Sequence, residues 1–286
     1  MDENESEDKN YLGSPFVYGL RPHPAFWLPV RCPENSAQEW ARSWGKVEFR
    51  LRPGPRIGVP YGQDRLILIL LVSLAVKQPT RKLQLPSGFQ ILRFFGLPPS
   101  GRNYSRLAER LARFRYTEFT VVTESVAVSG QICEQAALHF GSGASANGIS
   151  CVECDRADRN CEERLNSMTL SESFWQLLRN NATPLELRVI RSLSNSPSTL
   201  DFYSWLAARS YIVRPDRFAR VPLFGYGGLC QLMGTSDLAD RRGFRKQVRK
   251  WLAHLRECWL QCPAVLADGE DTLVVCRVPP PRIGWL

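Results

Sequence analysis

Basic side chains recur at helical spacing in two segments of this chain, and this pattern indicates where chemistry could take place. Within residues 101 to 116 and 241 to 259, arginine or lysine returns every three or four positions, which places these residues on one side of a helix. Guanidinium groups bind phosphate oxygens and guanine edges with a planar fork of donors. The predicted DNA-contacting residues are Arg102, Arg106, Arg110 and Arg113 in the first segment, and Arg242, Arg245, Lys246, Arg249 and Lys250 in the second.

Each basic segment also carries an apolar stripe that would pack it onto a core. The stripe residues are Tyr104, Leu107, Leu111 and Phe114 in the first segment, and Phe244, Val248, Trp251, Leu252, Leu255 and Trp259 in the second. We interpret the phenylalanine and tryptophans as core residues and not as base-stacking platforms, because they lie on the apolar stripe. A run of charge is most often a solvated surface. In this chain each basic segment follows a glycine turn, and that position favours contact with DNA over a merely solvated surface.

The elements around the basic segments follow the same order in both places. An apolar helix ends at a glycine (Phe89 to Gly96, Gly228 to Gly234), the basic helix follows, and strands come next (Glu118 to Thr123, Ala264 to Val278). Asp268-Gly269 is a hairpin-turn signal in the second copy. Helix, turn, basic helix and hairpin are the parts of a winged helix-turn-helix. The sequence therefore predicts an α+β protein with tandem winged helix-turn-helix domains and an irregular N-terminal arm.

Proline density and the loss of apolar periodicity set the predicted domain boundaries. The predicted regions are an acidic tail and Pro/Trp-rich arm over 1–58, a first winged-helix domain over 59–126, an extended wing and inter-domain insertion over 127–169, and a second winged-helix domain over 170–286. Inside the arm, Gln38 to Trp44 predicts a short helix and Lys46 to Leu51 a strand. Further on, Pro184 is predicted to begin a helix over Leu185 to Leu193.

Composition narrows the class of protein. The chain has 37 Lys and Arg against 28 Asp and Glu, a net charge of +9, and only six of the basic residues are lysine. This balance favours a polyanionic partner, although a host genome rich in G and C also raises arginine content. The apolar run from Leu66 to Val76 is too short to span a membrane and predicts a buried helix. The acidic first residues and nine scattered cysteines lead us to expect a cytoplasmic protein with reduced thiols.

The sequence gives little support for a metal-binding site or a catalytic site. The candidate zinc ligands are Cys151, Cys154 and Cys161, with Cys133 or His139 as a fourth. Their spacing fits no standard finger, so we favour plain loop cysteines and expect no cofactor. The segment from Gly96 to Asn103 imitates a P-loop but lacks its lysine and its Ser/Thr ligand for magnesium. The three histidines lie far apart, and we expect no enzyme activity.

Several segments resemble a known family. The stretch Val59-Pro60-Tyr61-Gly62, the apolar helix after it and the segment Phe94-Phe95-Gly96-Leu97 resemble plasmid-encoded RepA-type replication initiators. The segment Leu200 to Arg209 looks like that family's aspartate–aromatic–tyrosine–x–tryptophan–leucine run. This chain departs from the family pattern at Gly101-Arg102, where a Gly-Gly pair is usual.

The resemblance implies initiation of plasmid replication, by binding repeated origin sequences and recruiting host replication proteins. The expected partners are therefore double-stranded DNA carrying plasmid origin repeats and host replication proteins, with a second copy of the chain as a further candidate and no membrane. One alternative is a winged-helix transcriptional regulator, a repressor without a replication role. Another is a tandem winged-helix scaffold for protein partners, which would show no salt-dependent binding to duplex DNA.

Overall fold

The computed structural model describes residues 14–20, 28–33, 38–44, 46–55, 57–125, 127–138, 166–234, 240–267, 269 and 271–281. The strands in these ranges are β1 (Phe16–Leu20), β2 (Trp40–Trp44), β3 (Val47–Arg52), β4 (Lys82–Gln84), β5 (Glu118–Val122), β6 (Ala127–Gln131), β7 (Cys133–Ala137), β8 (Ser167–Leu170), β9 (Ala182–Glu186), β10 (Ala219–Pro222), β11 (Ala264–Leu266) and β12 (Thr272–Val275). The helices are α1 (Asp64–Lys77), α2 (Gly88–Phe94), α3 (Gly101–Tyr116), α4 (Glu172–Asn180), α5 (Leu187–Ser192), α6 (Pro197–Tyr211), α7 (Leu229–Met233) and α8 (Arg241–Cys258).

One order of elements occurs twice: helix, strand, helix, helix, strand, strand. The first unit consists of α1, β4, α2, α3, β7 and β8, and the second unit of α6, β10, α7, α8, β11 and β12. In both units the strands form an antiparallel sheet with the last strand in the centre, in the orders β4-β8-β7 and β10-β12-β11. The predicted order of an apolar helix followed by a basic helix is therefore present in both units, although β5 and β6 lie between α3 and β7 in the first. Mixed helix and sheet, the α+β part of the prediction, is confirmed.

The hairpin of the first unit is not the one predicted. The sequence assigned it to Glu118–Thr123, but β5 pairs with β3 and β6 in a separate four-stranded sheet, β2-β3-β5-β6. Strands β7 and β8 pair instead, and the chain between them includes residues 139–165, which lie outside the described ranges. The error arose because β5 follows α3 directly, and its alternation does not reveal which strands it pairs with.

Each basic helix begins at an N-cap residue, and the helix before it ends at a glycine turn. Ser100 and Asp240 are the N-caps of α3 and α8, and each side chain accepts a hydrogen bond from the backbone N–H three residues later, at 3.4 and 2.7 Å. The helices before them stop at turns through Gly96 and Gly234, whose φ angles of 70° and 64° favour glycine. The glycine-turn prediction is thus confirmed in both units.

The predicted apolar stripes of both basic helices are buried, except that Tyr104 of α3 is half-buried against the core. The buried stripe residues are Leu107, Leu111 and Phe114 on α3, and Phe244, Val248, Trp251, Leu252 and Leu255 on α8, followed by Trp259. Helix α1 is buried from Asp64 to Ala75, as its continuous apolar run predicts. Within the described ranges, no helix has both the length and the apolar character that crossing a membrane requires.

The described part of the arm is not irregular, which corrects the prediction for residues 1–58. Strand β1 pairs with β9, and β2 and β3 join β5. The predicted helix over Gln38 to Trp44 is wrong, because Trp40–Trp44 is an edge strand, whereas the predicted strand at Lys46 to Leu51 is confirmed by β3. Strand β3 is buried against the distant strand β5 through Phe49 and Leu51, and β2 pairs with β3, so the sheet and not the local sequence decides the conformation of β2.

The predicted helix start at Pro184 is also wrong. Strand β9 continues through Glu186, with Pro184 opposite Tyr18, and α5 begins at Leu187. A proline without an N–H is tolerated there because β9 lies in a two-stranded sheet and has an open edge.

An aromatic cluster anchors the core of the second unit. Phe202 stacks on Trp205 and Trp251, with ring centroids 5.9 and 5.2 Å apart, and Tyr203 meets Trp259 edge-on at 5.0 Å. These contacts confirm Trp251 and Trp259 as core residues. The buried apolar residues of both units belong to one continuous cluster.

Candidate nucleic-acid interface

Helix α8 presents a basic face to solvent. Arg242, Lys246, Arg249 and Lys250 are exposed and recur at helical spacing, on the side opposite the buried stripe. The amphipathic sequence produces this division, since the apolar positions fix which side of the helix faces the core. The structure therefore brings these four predicted residues together on one surface.

The N-terminal end of α8 is held by the hairpin and by an aromatic ring. Arg245 is half-buried, and its Nε and one terminal nitrogen lie 2.8 and 2.7 Å from the same carboxylate oxygen of Asp271, beside β12. Arg245 and Arg241 both lie over the Phe224 ring, 5.5 and 4.9 Å from its centroid. Arg241 is exposed and extends the basic surface. Sequence reasoning missed it, although it lies one helical turn before Arg245.

The arginines of α3 divide into two pairs. Arg102 and Arg106 are exposed near the N-terminal end of the helix. Arg110 and Arg113 are mostly buried, with 12% and 14% of their side chains exposed, and they face Asp64 at the start of α1. The prediction of one continuous four-arginine surface is therefore corrected: only the first pair forms a solvent-exposed basic face.

A buried carboxylate explains why the second pair turns inward. Arg113 donates two hydrogen bonds to Asp64, at 2.6 and 3.0 Å, and Arg110 lies 3.5 Å from it and also bonds Gln63. Burial lowers the pKa of Arg110, whereas for Arg113 the effect of burial is outweighed by the hydrogen bond and charge of Asp64, which raise its pKa. The Arg113 guanidinium also lies 4.9 Å from the Tyr61 ring centroid. This pair joins α3 to α1.

Arg65 connects the first helices of the two units. It is 4% exposed and binds Asp201 of α6 through two hydrogen bonds of 2.6 and 2.7 Å. Its remaining N–H groups donate to the carbonyls of Pro29 (3.1 Å), Gly62 (2.8 Å) and Leu28. All five guanidinium N–H groups therefore have partners, which a buried cation requires.

The segment Leu200 to Arg209 has a packing role in this structure. Full burial raises the pKa of the Asp201 carboxyl, and the charges of Arg65 and Arg42 oppose that rise. The Tyr203 hydroxyl accepts a 2.9 Å hydrogen bond from the Glu186 N–H, and burial raises the pKa of this tyrosine. These side chains position α6 and do not form a DNA-facing surface.

Two arginines cross between the halves of the chain and bind the ends of α2 and α7. Arg191 of α5 donates a 2.7 Å hydrogen bond to the Phe94 carbonyl in the last turn of α2. Arg42 of β2 donates to the Leu232 carbonyl in the last turn of α7, and burial is the main cause that lowers the pKa of Arg42 to about 10. Cations favour the C-terminal ends of helices. Both glycine turns that precede the basic helices are therefore fixed from the other half of the chain.

The zinc candidates Cys151, Cys154 and Cys161, and the alternative ligand His139, lie outside the described residues. Within the described ranges, no group of three or more His, Cys, Asp or Glu side chains is arranged to hold a metal ion. Cys133 is buried, and burial raises the pKa of its thiol to about 12. A high thiol pKa disfavours the thiolate that binds a metal.

Solved structures share this fold. Two crystal structures of domains 2 and 3 of RctB match the chain with TM-scores of 0.57 and 0.52. The first is 15% identical and covers 89% of this chain and 99% of its own, and the second is 14% identical and covers 88% and 94%. At this identity the match concerns the fold. Among curated protein sequences, none matches the chain.

Two family models match adjacent parts of the sequence. The model described as "Replication initiator protein A" matches residues 20–140, and the model described as "Plasmid encoded RepA protein" matches residues 141–223. The two matches run without a gap from residue 20 to residue 223, across the first unit and into the second. Both models describe replication initiators of one kind, and the chain therefore belongs to the plasmid replication initiators.

Proposed function

We propose that this replication initiator binds the repeats of its plasmid origin through two winged helix-turn-helix domains and recruits host replication proteins to the bound DNA. The two units described above are the proposed domains, with α3 and α8 as recognition helices that enter major grooves. The role requires no catalytic step by the chain itself. Phosphate contacts supply much of the affinity and contacts to base edges supply the sequence preference.

The exposed basic face of α8 is the observation that carries this proposal. Arg242 and Lys246 lie on the helix that follows the Gly234 turn and precedes the β11–β12 hairpin. A recognition helix occupies this position in a winged helix-turn-helix, and its N-terminal residues contact the bases. Arg241 and Arg245 lie at the same end, which concentrates positive charge where the helix would meet the duplex.

The contacts between the units support the use of two grooves by one chain. The Arg65–Asp201 pair joins α1 to α6, and Arg42 and Arg191 bind the turns before the two basic helices. With these contacts in place, the distance between α3 and α8 is set by the fold. We propose that it matches successive major grooves on one side of the duplex, roughly 34 Å apart.

Binding to duplex fragments from the source replicon tests the proposal. Arg242→Ala and Lys246→Ala remove exposed cations from α8, whereas Arg179→Ala removes the same charge from α4 and serves as the matched control. We expect Arg242→Ala to weaken binding to the origin by about 1–3 kcal/mol, and Lys246→Ala to lower the slope of log affinity against log salt by about one. Arg179→Ala should bind as the wild type does.

The readouts separate the alternatives. An initiator supports replication of a plasmid that carries its origin, whereas a repressor binds DNA without doing so. A protein scaffold shows no salt-dependent binding to any duplex. If Arg242→Ala and Lys246→Ala match Arg179→Ala in affinity and footprint, α8 is not a DNA-contacting helix and the proposal is wrong.

A further inference from the structure

The loop between β10 and α7 displays an exposed tyrosine on an ordered turn. Tyr226 is 78% exposed and is flanked by Gly225 and Gly227, whose φ angles are 87° and 72°. The turn is closed by hydrogen bonds from the Gly228 N–H to the Gly225 carbonyl (3.0 Å) and from the Gly227 N–H to the Gln231 side chain (2.9 Å). Glycine adopts these left-handed angles at low cost, so the loop holds the aromatic ring out in solvent.

This loop is fixed at the same end of the second unit as the start of α8 and the turn of the hairpin. The Leu223 N–H donates to the Asp271 carbonyl at 2.8 Å, which ties the loop to the residue before β12. The side chain of Asp271 binds Arg245 of α8, and Arg245 and Arg241 both lie over Phe224, the second residue of the loop. The start of α8, the residue before β12 and the base of the loop that carries Tyr226 are therefore in contact.

The surroundings of the loop are cationic. Arg241, Arg242 and Lys246 are exposed near its anchor, and the two acids that the structure describes at this end, Asp240 and Asp271, have partners within the chain, while Asp237, Asp268 and Glu270 lie outside the described residues. Asp240 caps α8 by accepting from the Gly243 N–H, and Asp271 is bound by Arg245. A single exposed aromatic residue is common on protein surfaces. An exposed tyrosine on a loop whose base contacts the arginines at the start of α8 fits a polyanionic surface that also has apolar sugar rings.

We propose that Tyr226 contacts the sugar–phosphate backbone of duplex DNA beside the groove that α8 enters. Its ring packs on a deoxyribose, and its hydroxyl donates a hydrogen bond to a phosphate oxygen. This inference rests on the proposed function, because it requires α8 to face DNA. It adds a neutral contact that positions the helix without contributing to the salt dependence of binding.

The first unit lacks a matching loop. The Leu85 N–H donates to the Asn166 carbonyl at 2.7 Å, in the position that Leu223 and Asp271 occupy in the second unit. Only Pro86 then separates Leu85 from Ser87, the N-cap of α2, so the chain turns directly into the helix. The tyrosine contact is therefore assigned to the half of the footprint that the second unit covers.

The full chain with Tyr226→Phe, Tyr226→Ala and Phe218→Ala tests this contact. Phe218 is the matched control: it is 56% exposed and contacts an arginine, but it precedes β10 at the end of the strand away from the hairpin turn. The probes are a duplex fragment from the source replicon that the wild type footprints, and a random duplex of equal length. Affinity is measured over a range of salt, and circular dichroism confirms that each variant is folded.

We expect Tyr226→Ala to weaken binding to the replicon fragment about three- to tenfold, and Tyr226→Phe by about threefold, as for the loss of one hydrogen bond. The salt slope should not change, and Phe218→Ala should bind as the wild type does. Ethylation of one phosphate in the second unit's half of the site should interfere with the wild type and have no effect on Tyr226→Phe. Lys246→Ala, measured beside them, should lower the salt slope.

The outcomes distinguish the two proposals. If Lys246→Ala weakens binding while both tyrosine variants bind as the wild type does, the tyrosine contact is wrong and the proposed function stands. If the wild type binds no duplex, both proposals are wrong. If the tyrosine variants bind DNA normally but no longer support plasmid replication, the loop is a surface for a protein partner, which also overturns the contact proposed here.

Discussion

Arg65 and Asp201 lie 136 positions apart in the sequence and form a bidentate pair that is almost inaccessible to solvent. Two buried charges are costly to desolvate, and the pair is tolerated because every guanidinium N–H has an acceptor. The pair positions the elements around it, because the Arg65 guanidinium also donates hydrogen bonds to three backbone carbonyls in the segment before α1. The aspartate of the segment that resembles RepA-type initiators thus acts as a joint between helices.

Breaking this pair should therefore destabilise the fold. We expect Asp201→Ala to lower the free energy of unfolding by about 3–5 kcal/mol, because Arg65 would remain buried without its counter-charge. The control is Arg188→Ala, which removes a 60% exposed partner of Glu186 and should cost less than about 1 kcal/mol. Urea denaturation monitored by tryptophan fluorescence measures both. Equal midpoints for the two variants would contradict a structural role for the pair.

Under the proposed function, helix α3 contacts DNA near its N-terminal end and packs against α1 near its C-terminal end, and variants at the two ends should separate these roles. Arg106→Ala should leave the free energy of unfolding within about 0.5 kcal/mol of the wild type and weaken DNA binding by about 1–3 kcal/mol. Arg113→Ala removes two charged hydrogen bonds to buried Asp64 and should lower the free energy of unfolding by about 2–3 kcal/mol. Denaturant titration and DNA affinity are measured on the same preparations. A stability loss in Arg106→Ala similar to that in Arg113→Ala would refute the division.

Elements whose cause is local could be predicted from the sequence, and elements that depend on distant pairing could not. The apolar stripe of α8 and the glycine turn at Gly234 follow from helical periodicity and backbone preference. Strand β9, which contains Pro184, was misread because its partner β1 lies far along the chain. Strand β2 was misread because it joins the sheet only through its neighbour β3, whose other partner, β5, is distant in sequence. The inward turn of Arg110 and Arg113 had the same origin, since Asp64 lies on another helix.

At the scale of the whole molecule, the N-terminal strands join the two units. Strand β1 pairs with β9, just before the second unit, whereas β3 pairs with β5 after α3. Arg42 on β2 reaches the end of α7 in the second unit. The segment before α1 is therefore part of both halves of the fold. If α3 and α8 act as the proposed recognition helices, a spacing fixed in this way favours one separation of half-sites on DNA.

These shared contacts lead us to expect one cooperative unfolding transition, although the chain contains two repeated units. Multidomain proteins usually unfold in more than one step. A single transition would therefore distinguish one cooperative fold from two units that unfold independently. Tryptophan fluorescence reports on side-chain packing, including that of Trp205, Trp251 and Trp259 in and after the helices of the second unit, while far-UV circular dichroism reports on helices of both units. The two signals should give the same urea midpoint, and Val17→Asp, which places a charge in the buried face of β1, should shift both together. Separate midpoints would show that the units fold independently, and the distance between α3 and α8 would then depend on the DNA to which they bind.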